Sequence, residues 1–358
     1  MNKQAKLSRR QVLQLAALSA LSALIAACQR ALTPITGTSN PAPAPTKDVI
    51  TVGAPPPDLQ AATSSVPITQ AQDFYITSYG SSPAVPSNWK LTITGLVDKP
   101  LTLTLDDIKA MPSVTEMRTL SCISNPVGGD LISNAVWKGV RFKDVLAQAG
   151  VKSTAHFFKL ESFDGWSTGI PLALGLDDHA LVVYDMNGAP LPRDHGAPLR
   201  CLWPGHYGMK QPKWLQTITL VEQEYAGYWE RQGWSNEATV MPFSRIDSPE
   251  DNATIGNPTF TLSGIAHTDE SGLAKLEVSW DDTNQWLPAN LTRGPSPLVW
   301  TVWKWTGSSL PIGRHTLYAR ATDGNGQMQV RGAAINLLGG TYPNGTSDMQ
   351  SIVLEFKS

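Results

Sequence analysis

The sequence predicts an α+β domain followed by a β-sandwich of immunoglobulin type, both behind an N-terminal segment that belongs to neither. Three observations carry this expectation. A basic head and a short apolar run open the chain, and a Pro-, Ala- and Thr-rich stretch follows them. Over about 74–225, short apolar runs bounded by Gly, Pro and Asn alternate with a few short helical patterns. From about 241 onward, alternating strands succeed one another between turn signals, with no helical period of useful length.

The N-terminal segment comes first. Lys3, Lys6, Arg9 and Arg10 form the basic head, and the apolar stretch over 12–27 is short and Ala-rich, ill suited to span a bilayer permanently. Ser8-Arg9-Arg10-Gln11-Val12-Leu13 looks like a twin-arginine export signal, and Ile25-Ala26-Ala27-Cys28 like a lipobox with Cys28 lipidated. An ordinary secretory signal that happens to hold an Arg pair and a Cys is the alternative. The twin-arginine route carries folded proteins, often with a cofactor already inserted. The expected location is therefore exported, on the extracytoplasmic face of the cell membrane or in the periplasm, held by an N-terminal lipid anchor. Residues 1–28 are assigned to this signal and 29–66 to an extended tether.

The first domain is expected over 67–236. A strand over 89–97 alternates Leu91 and Ile93 and ends at Gly95-Leu96. A helix over 105–111 follows Thr104 as N-cap, with Asp106 and Asp107 in its first turn. A second helix over 142–149 closes at Gly150. Further strands are expected over 157–160, 180–184, 199–203 and 215–221. The second domain, 237–358, carries expected strands over 259–266, 273–280, 298–305, 313–321 and 351–356. Turn signals separate them at Asp269-Glu270-Ser271-Gly272, Asp281-Asp282-Thr283-Asn284 and Asp323-Gly324-Asn325-Gly326.

Composition narrows the function. The 358 residues carry a formal charge of -2; residues 1–27 hold four cations and no acid, so the remainder carries -6. A mildly acidic body argues against nucleic acid as a partner. Three Cys exclude a disulfide scaffold and a Cys-rich zinc module. The six His show no metal-ligand spacing, and a nucleophile elbow, a P-loop and a CxxCH haem attachment are all absent. Twelve Trp require a sizeable core or an aromatic-lined cleft.

Two segments concentrate chemistry. Ser121-Cys122-Ile123-Ser124-Asn125-Pro126-Val127-Gly128-Gly129 places a Cys on a turn-rich loop, where a thiolate is a soft, charged ligand for a transition metal. The runs 187–200 and 204–215 gather Arg193, His195, Arg200, His206, Lys210 and Lys213 on Gly/Pro-held backbone, a donor set that suits a phosphate. A Cys122–Cys201 disulfide and a solvated basic loop are the structural alternatives.

Together these pieces resemble the sulfite oxidase family of molybdopterin enzymes, over nearly all of 70–358. The resemblance rests on Phe74-Tyr75-Ile76-Thr77, on Trp89 to Val97, on Leu120-Ser121-Cys122-Ile123-Ser124-Asn125 and on Ala135-Val136-Trp137-Lys138-Gly139-Val140. It continues through Tyr184-Asp185-Met186-Asn187-Gly188, the run PLPRDHGAPLR at 190–200, Pro204-Gly205 and Lys213-Trp214-Leu215. It implies a molybdenum–molybdopterin cofactor with Cys122 as the metal-ligating thiolate. Tyr75, Ile76 and Thr77 would contact the pterin, as would Asp164; His195 and Arg200 would hold its phosphate; Gln211, Pro212 and Lys213 form the next contact run. Trp137 matches a Trp of the active-site wall. The tail resembles the family's dimerisation domain and implies a homodimer, with Trp280, Trp286, Trp300, Trp303 and Trp305 as candidate interface area.

The departures bear on substrate. Thr77, Pro126 and Leu338 stand where sulfite oxidases proper carry anion-binding Arg residues, and Trp234 stands at the catalytic Tyr position. A desolvated sulfite or nitrate needs its charge matched. The expectation is oxygen-atom-transfer chemistry on a small neutral substrate, such as a sulfoxide or N-oxide, with electrons exchanged through a separate cytochrome or membrane redox protein. A non-enzymatic surface lipoprotein binding glycan or protein, and a true sulfite dehydrogenase with a rearranged anion pocket, are the competing readings.

Overall fold

The computed structural model describes residues 65–281, 284–332 and 340–358. The signal, the lipobox, nearly all of the tether and Leu338 lie outside the described residues. One correction falls at the tether's end: Val66 is fully buried against Met117, Ile132 and Phe243, so the folded body begins at least there.

The first half of the described chain holds strands β1 Leu91–Gly95, β2 Leu101–Leu103, β3 Ser113–Ser121, β4 Ile132–Arg141, β5 Phe157–Ser162, β6 Ser167–Pro171, β7 Leu181–Met186, β8 Ala189–Pro190, β9 Arg200–Leu202 and β10 Leu215–Val221. One sheet runs β2-β1-β10-β5-β6, with β1 and β10 parallel and Ile93 beside Ile218. A second runs β3-β4-β7-β8, and β9 also pairs with β7. Alternation in β1 buries Leu91 and Ile93 in a core shared with Phe158, Leu160 and Ile218. Two short helices complete that core. Leu105–Lys109 starts from a capping box in which Thr104 and Asp107 satisfy each other's backbone N–H groups, and it buries Ile108. Phe142–Ala147 buries Phe142, Val145 and Leu146. Gly150 lies three residues beyond it, with φ 67 and its N–H on Leu146 O.

The strands β3 and β4 went unread because the period-2 signal is missing. β4 is buried on both faces except at Lys138 and Arg141. β3 buries polar Arg118 and Thr119 beside Met117 and Leu120. Two-sided burial erases the alternation by which a half-buried strand is recognised.

The second half holds β11 Phe243–Ser248, β12 Thr254–Ile255, β13 Thr259–His267, β14 Leu273–Trp280, β15 Leu287–Pro288, β16 Asn290–Thr292, β17 Thr301–Ser308, β18 Gly313–Asp323 and β19 Ser351–Phe356. They form two sheets, β11-β13-β17-β16 and β12-β19-β18-β14-β15. Leu262 and Trp303 of the first share one core with Leu276, Leu317 and Leu354 of the second. The strand expected over 298–305 begins instead at Thr301, because Leu298 to Trp300 pack and hydrogen-bond against the first half. Thr119 N donates to Leu298 O (3.0 Å) and Trp300 N to Thr119 Oγ1 (2.8 Å).

The Trp residues are mostly internal. Trp303 and Trp305 lie in the core between the sheets, Trp280 packs against it, and Trp300 is buried with Val136 and Phe243. Trp286 lies under the Arg320 guanidinium, 3.8 Å from its ring centre. These contacts account for the aromatic count without an interface.

His267 gives this fold an acid-sensitive point. It is buried at the end of β13, its Nδ1 has no partner, and burial alone pushes its pKa down to about 4. Between pH 6.5 and 4 the unfolded chain binds a proton that the folded one refuses. Stability therefore falls as pH drops through that window, by on the order of 3 kcal/mol from this group. Urea unfolding at pH 7 and at pH 4.5 should show a smaller stability difference for His267→Leu than for the native chain. Equal differences would remove His267 as a cause.

Candidate functional site

Five loop segments and one short helix converge on a cavity of about 620 Å³. The sequence explains why loops do this. The 74–79 segment follows no strand, Cys122 immediately follows β3, Asp164 sits in the turn between β5 and β6, and the basic runs flank β9. The helix Tyr228–Arg231 brings Trp229, and the chain beyond it brings Trp234.

Behind this wall a buried cation ties the segments together. Lys210 Nζ donates to Glu230 Oε1 (2.6 Å), Thr168 Oγ1 (3.1 Å) and Asn236 Oδ1 (3.0 Å). Those partners lie on the Tyr228–Arg231 helix, on β6 and in the loop after the helix. Met209, Trp229 and Trp234 of the cavity wall are close neighbours in sequence of this network.

The basic cluster is built by close backbone approach. Gly196 has φ 115, and a Cβ there would lie 2.9 Å from Lys213 Cβ and 3.1 Å from Arg200 Cβ. Without a side chain at 196, the two loops close up. Trp214 N then donates to Gly196 O (3.1 Å) and Arg200 Nη1 to His195 O (3.0 Å). His195 Nε2 lies 2.6 Å from Ala71 O, which fixes the ring. Lys213 Nζ donates to Ser78 Oγ (2.5 Å) and Asp194 O (3.1 Å).

The cluster has no ion-paired counter-charge among the described residues, although Asp164 and Asp194 favour the charged form of Lys213 from a distance. Among the described residues neither Arg200 nor Lys213 has a carboxylate within ion-pair distance, and Arg200 Nε is buried without a partner. Burial, reinforced by Arg200, pushes Lys213 down to about 8; burial pushes Arg200 down to about 10. Burial also lowers His195, against the pull of the Ala71 carbonyl. A dianion in the cavity would reverse these costs and complete the Arg200 donor set. Asp164 adds an acceptor: its Oδ1 takes the Trp166 N–H (2.9 Å), while its Oδ2 is buried and unpartnered. An unpartnered buried carboxylate oxygen suits ring N–H donors of the kind a pterin presents.

Cys122 lines the same cavity at 7% exposure, with its N–H on Leu131 O (2.9 Å). Cys201 lies fully buried on β9, its thiol pushed up by burial, and both cysteines are free. The disulfide alternative is thereby set aside. Among the described residues no group of three His, Cys, Asp or Glu could hold a metal. A metal at Cys122 would thus draw its remaining ligands from a cofactor. Two cations without a carboxylate partner, the open Asp164 oxygen and the single cavity-lining cysteine fit molybdopterin.

Most of the residues expected from sequence meet here: Tyr75, Thr77, Cys122, Asp164, His195, Arg200, Gln211, Pro212, Lys213 and Trp234 all line the cavity. Two do not. Ile76 is 51% exposed and stays out of the lining, although its neighbours on both sides, Phe74, Tyr75, Thr77, Ser78 and Tyr79, all line the cavity. Trp137 is fully buried behind the lining, edge-on to Phe74 and 5.2 Å under the Arg200 guanidinium, with its Nε1 donating to Arg118 O (3.3 Å). It supports the basic cluster from behind and walls nothing.

Sequence reasoning missed Tyr79, Trp166, Met209 and Trp229, which give the cavity an apolar, aromatic side. The Tyr228-Trp229 pair and the Trp after Asp164-Gly165 were the available signals. Arg200 and Lys213 are the only Arg or Lys among the described lining residues, with His195 the only His. Pro126 stays out of the lining.

A family model described as the oxidoreductase molybdopterin binding domain matches residues 79–229. The uncharacterized oxidoreductase YuiH of Bacillus subtilis (strain 168) is 36% identical over 182 residues, which are 51% of this chain and 86% of that protein. Sulfite oxidase of Arabidopsis thaliana is 29% identical over 290 residues, covering 67% of this chain and 74% of its own length. The crystal structure of the sulfane dehydrogenase SoxCD from Paracoccus pantotrophus superposes with a TM-score of 0.70 at 21% identity, over 81% of this chain and 84% of that one. At that identity the likeness is one of fold.

Proposed function

The chain belongs to the sulfite oxidase family of molybdopterin-dependent oxidoreductases, and from that premise we propose an exported, lipid-anchored enzyme that transfers an oxygen atom to or from a small neutral substrate. When bound, the cofactor supplies the redox and oxygen-atom chemistry. Cys122 is the protein's thiolate to the metal. Arg200, Lys213 and His195 take the cofactor phosphate, and Asp164 takes donors of the pterin ring. Tyr75, Thr77, Gln211 and Pro212 complete the contact surface. Trp234 and Trp229 wall the space left for substrate.

One observation carries the substrate reading. Both cations among the described lining residues, Arg200 and Lys213, belong to the cluster with His195, and the remaining wall includes Ile123, Ser124, Met209, Trp229 and Trp234. A desolvated anion there would find no charged donor, whereas a thioether, sulfoxide or N-oxide would find aromatic faces. Electrons pass to or from a separate carrier, a cytochrome or a membrane redox protein. The two C-terminal sheets form an immunoglobulin-like module through which two chains pair. The likeness to a plant sulfite oxidase favours the second reading, a sulfite dehydrogenase with a rearranged anion pocket.

Protein made in a cofactor-competent host tests the whole reading. We expect stoichiometric molybdenum and pterin, dye-coupled turnover of dimethyl sulfoxide or methionine sulfoxide, and no oxidation of sulfite. Sedimentation of the same preparation at micromolar concentration should give twice the chain mass. Sulfite oxidation at a rate above that of the sulfoxides would hand the site to the second reading, and a persistent monomer would remove the dimer.

A further inference from the structure

We propose that Ser124 is a positioning residue for the metal-holding sulfur: its hydroxyl donates a hydrogen bond to Cys122 Sγ and raises the reduction potential of molybdenum held there. The proposal rests on Cys122 being that ligand. Ser124 Oγ lies 3.1 Å from Cys122 Sγ, and no other hydrogen-bond partner meets this hydroxyl among the described residues. A ligating thiolate carries no proton, so the hydroxyl is the donor and the sulfur the acceptor.

The hydroxyl is held in place by its loop. Asn125 N donates to Cys122 O (3.1 Å), and Leu131 N donates across the loop to Asn125 Oδ1 (2.9 Å). A Cβ on Gly129 would lie 2.5 Å from that same Asn125 oxygen, so only Gly lets the loop close over it. Arg245 Nη1, from β11, donates to Gly129 O (3.1 Å) and pins the loop from the second half of the chain. Ser124 itself lines the cavity and makes none of these bonds through its side chain, so its removal leaves the loop standing.

The direction of the effect follows from charge. Reduction of the metal adds electron density to the metal–sulfur unit, and a hydrogen-bond donor on the sulfur stabilises that more electron-rich form. Removing the donor lowers the potential.

The test is a redox titration of the holoenzyme, following the Mo(V) paramagnetic resonance signal, for the native chain, Ser124→Ala and Ser124→Thr. At the native midpoint, Ser124→Ala should hold the reduced-to-oxidised ratio about threefold lower, equivalent to about 28 mV at about 59 mV per tenfold. Ser124→Thr, which keeps the hydroxyl, should return it to the native value. Metal content and melting temperature should match across all three. Full metal with an unchanged midpoint in Ser124→Ala overturns the proposal, as does a lowered midpoint that Thr fails to restore. A native protein without molybdenum overturns the reading of Cys122, and this proposal with it; metal analysis tells that failure from the others.

Discussion

Cys122→Ser should give a folded protein with no measurable turnover. The loop that carries Cys122 is held by backbone and Asn125 hydrogen bonds that a Ser leaves intact, and Ser fits the space of Cys. The chemistry does not survive the exchange. A thiol ionises near neutral pH beside a metal and forms a soft ligand, while an alcohol does neither. Loss of an outer partner of a metal ligand costs roughly 10–100-fold in affinity or activity, so loss of the ligand itself should exceed that range. Circular dichroism, metal analysis and dye-coupled assay on one preparation check it. Cys201→Ser is the contrasting variant. Its thiol is buried on β9 among core residues, and a hydroxyl there that finds no partner costs about 1–3 kcal/mol of stability with turnover retained. An active Cys122→Ser enzyme, or a folded Cys201→Ser enzyme that has lost its molybdenum, would overturn the assignment of the two.

The uneven legibility of this chain has physical causes. β10 and β14 match expectation to the residue because their apolar residues recur along the strand, between Lys213-Trp214 and Glu222 for β10 and between Gly272 and Asp281 for β14. The Leu105–Lys109 helix was readable from Thr104 and Asp107, whose capping is a purely local event. β3 and β4 were not, because layers on both sides bury every position of most of their length. The site divides in the same way. Cys122, His195, Arg200 and Lys213 were reached through the family resemblance, because a Cys on a turn-rich loop and a run of cations on Gly/Pro backbone leave structural uses open. Lys210 of the same run shows this by bonding Glu230 and Thr168 behind the wall. Trp137 could not be told from a wall residue in sequence: an indole behind a guanidinium and an indole facing a cavity have the same neighbours along the chain. Ile76 alone of residues 74–79 turns outward, and an unpatterned loop carries no period from which that could be read. Trp229 and Trp166 were lost among twelve Trp, most of which a two-domain core could have absorbed.

Arg200→Met should have opposite effects in the empty and the loaded protein. In the empty protein Arg200 is a buried cation at 5% exposure, with one backbone bond, a ring face and an unpartnered Nε. Its charge is unmatched there, and burial drags its pKa down to about 10. An apolar side chain of similar length keeps the packing against Trp137 and removes that cost, so the cofactor-free variant should unfold at the same temperature as the native chain or higher. In the loaded protein, on the proposed reading, the guanidinium would hold the cofactor phosphate, and truncating one partner of such a buried pair costs about 2–5 kcal/mol, roughly 30- to 5,000-fold in retention. Because cofactor binds only the folded state, its stabilising effect should shrink by the same amount. Two measurements decide the matter: pterin fluorescence after oxidation for occupancy, and thermal unfolding with and without cofactor. Native-level occupancy would remove Arg200 from the phosphate site. A loss of stability in the empty variant would show that the guanidinium serves the fold through His195 O and Trp137, and that the unmatched charge is tolerated for packing and not for a ligand.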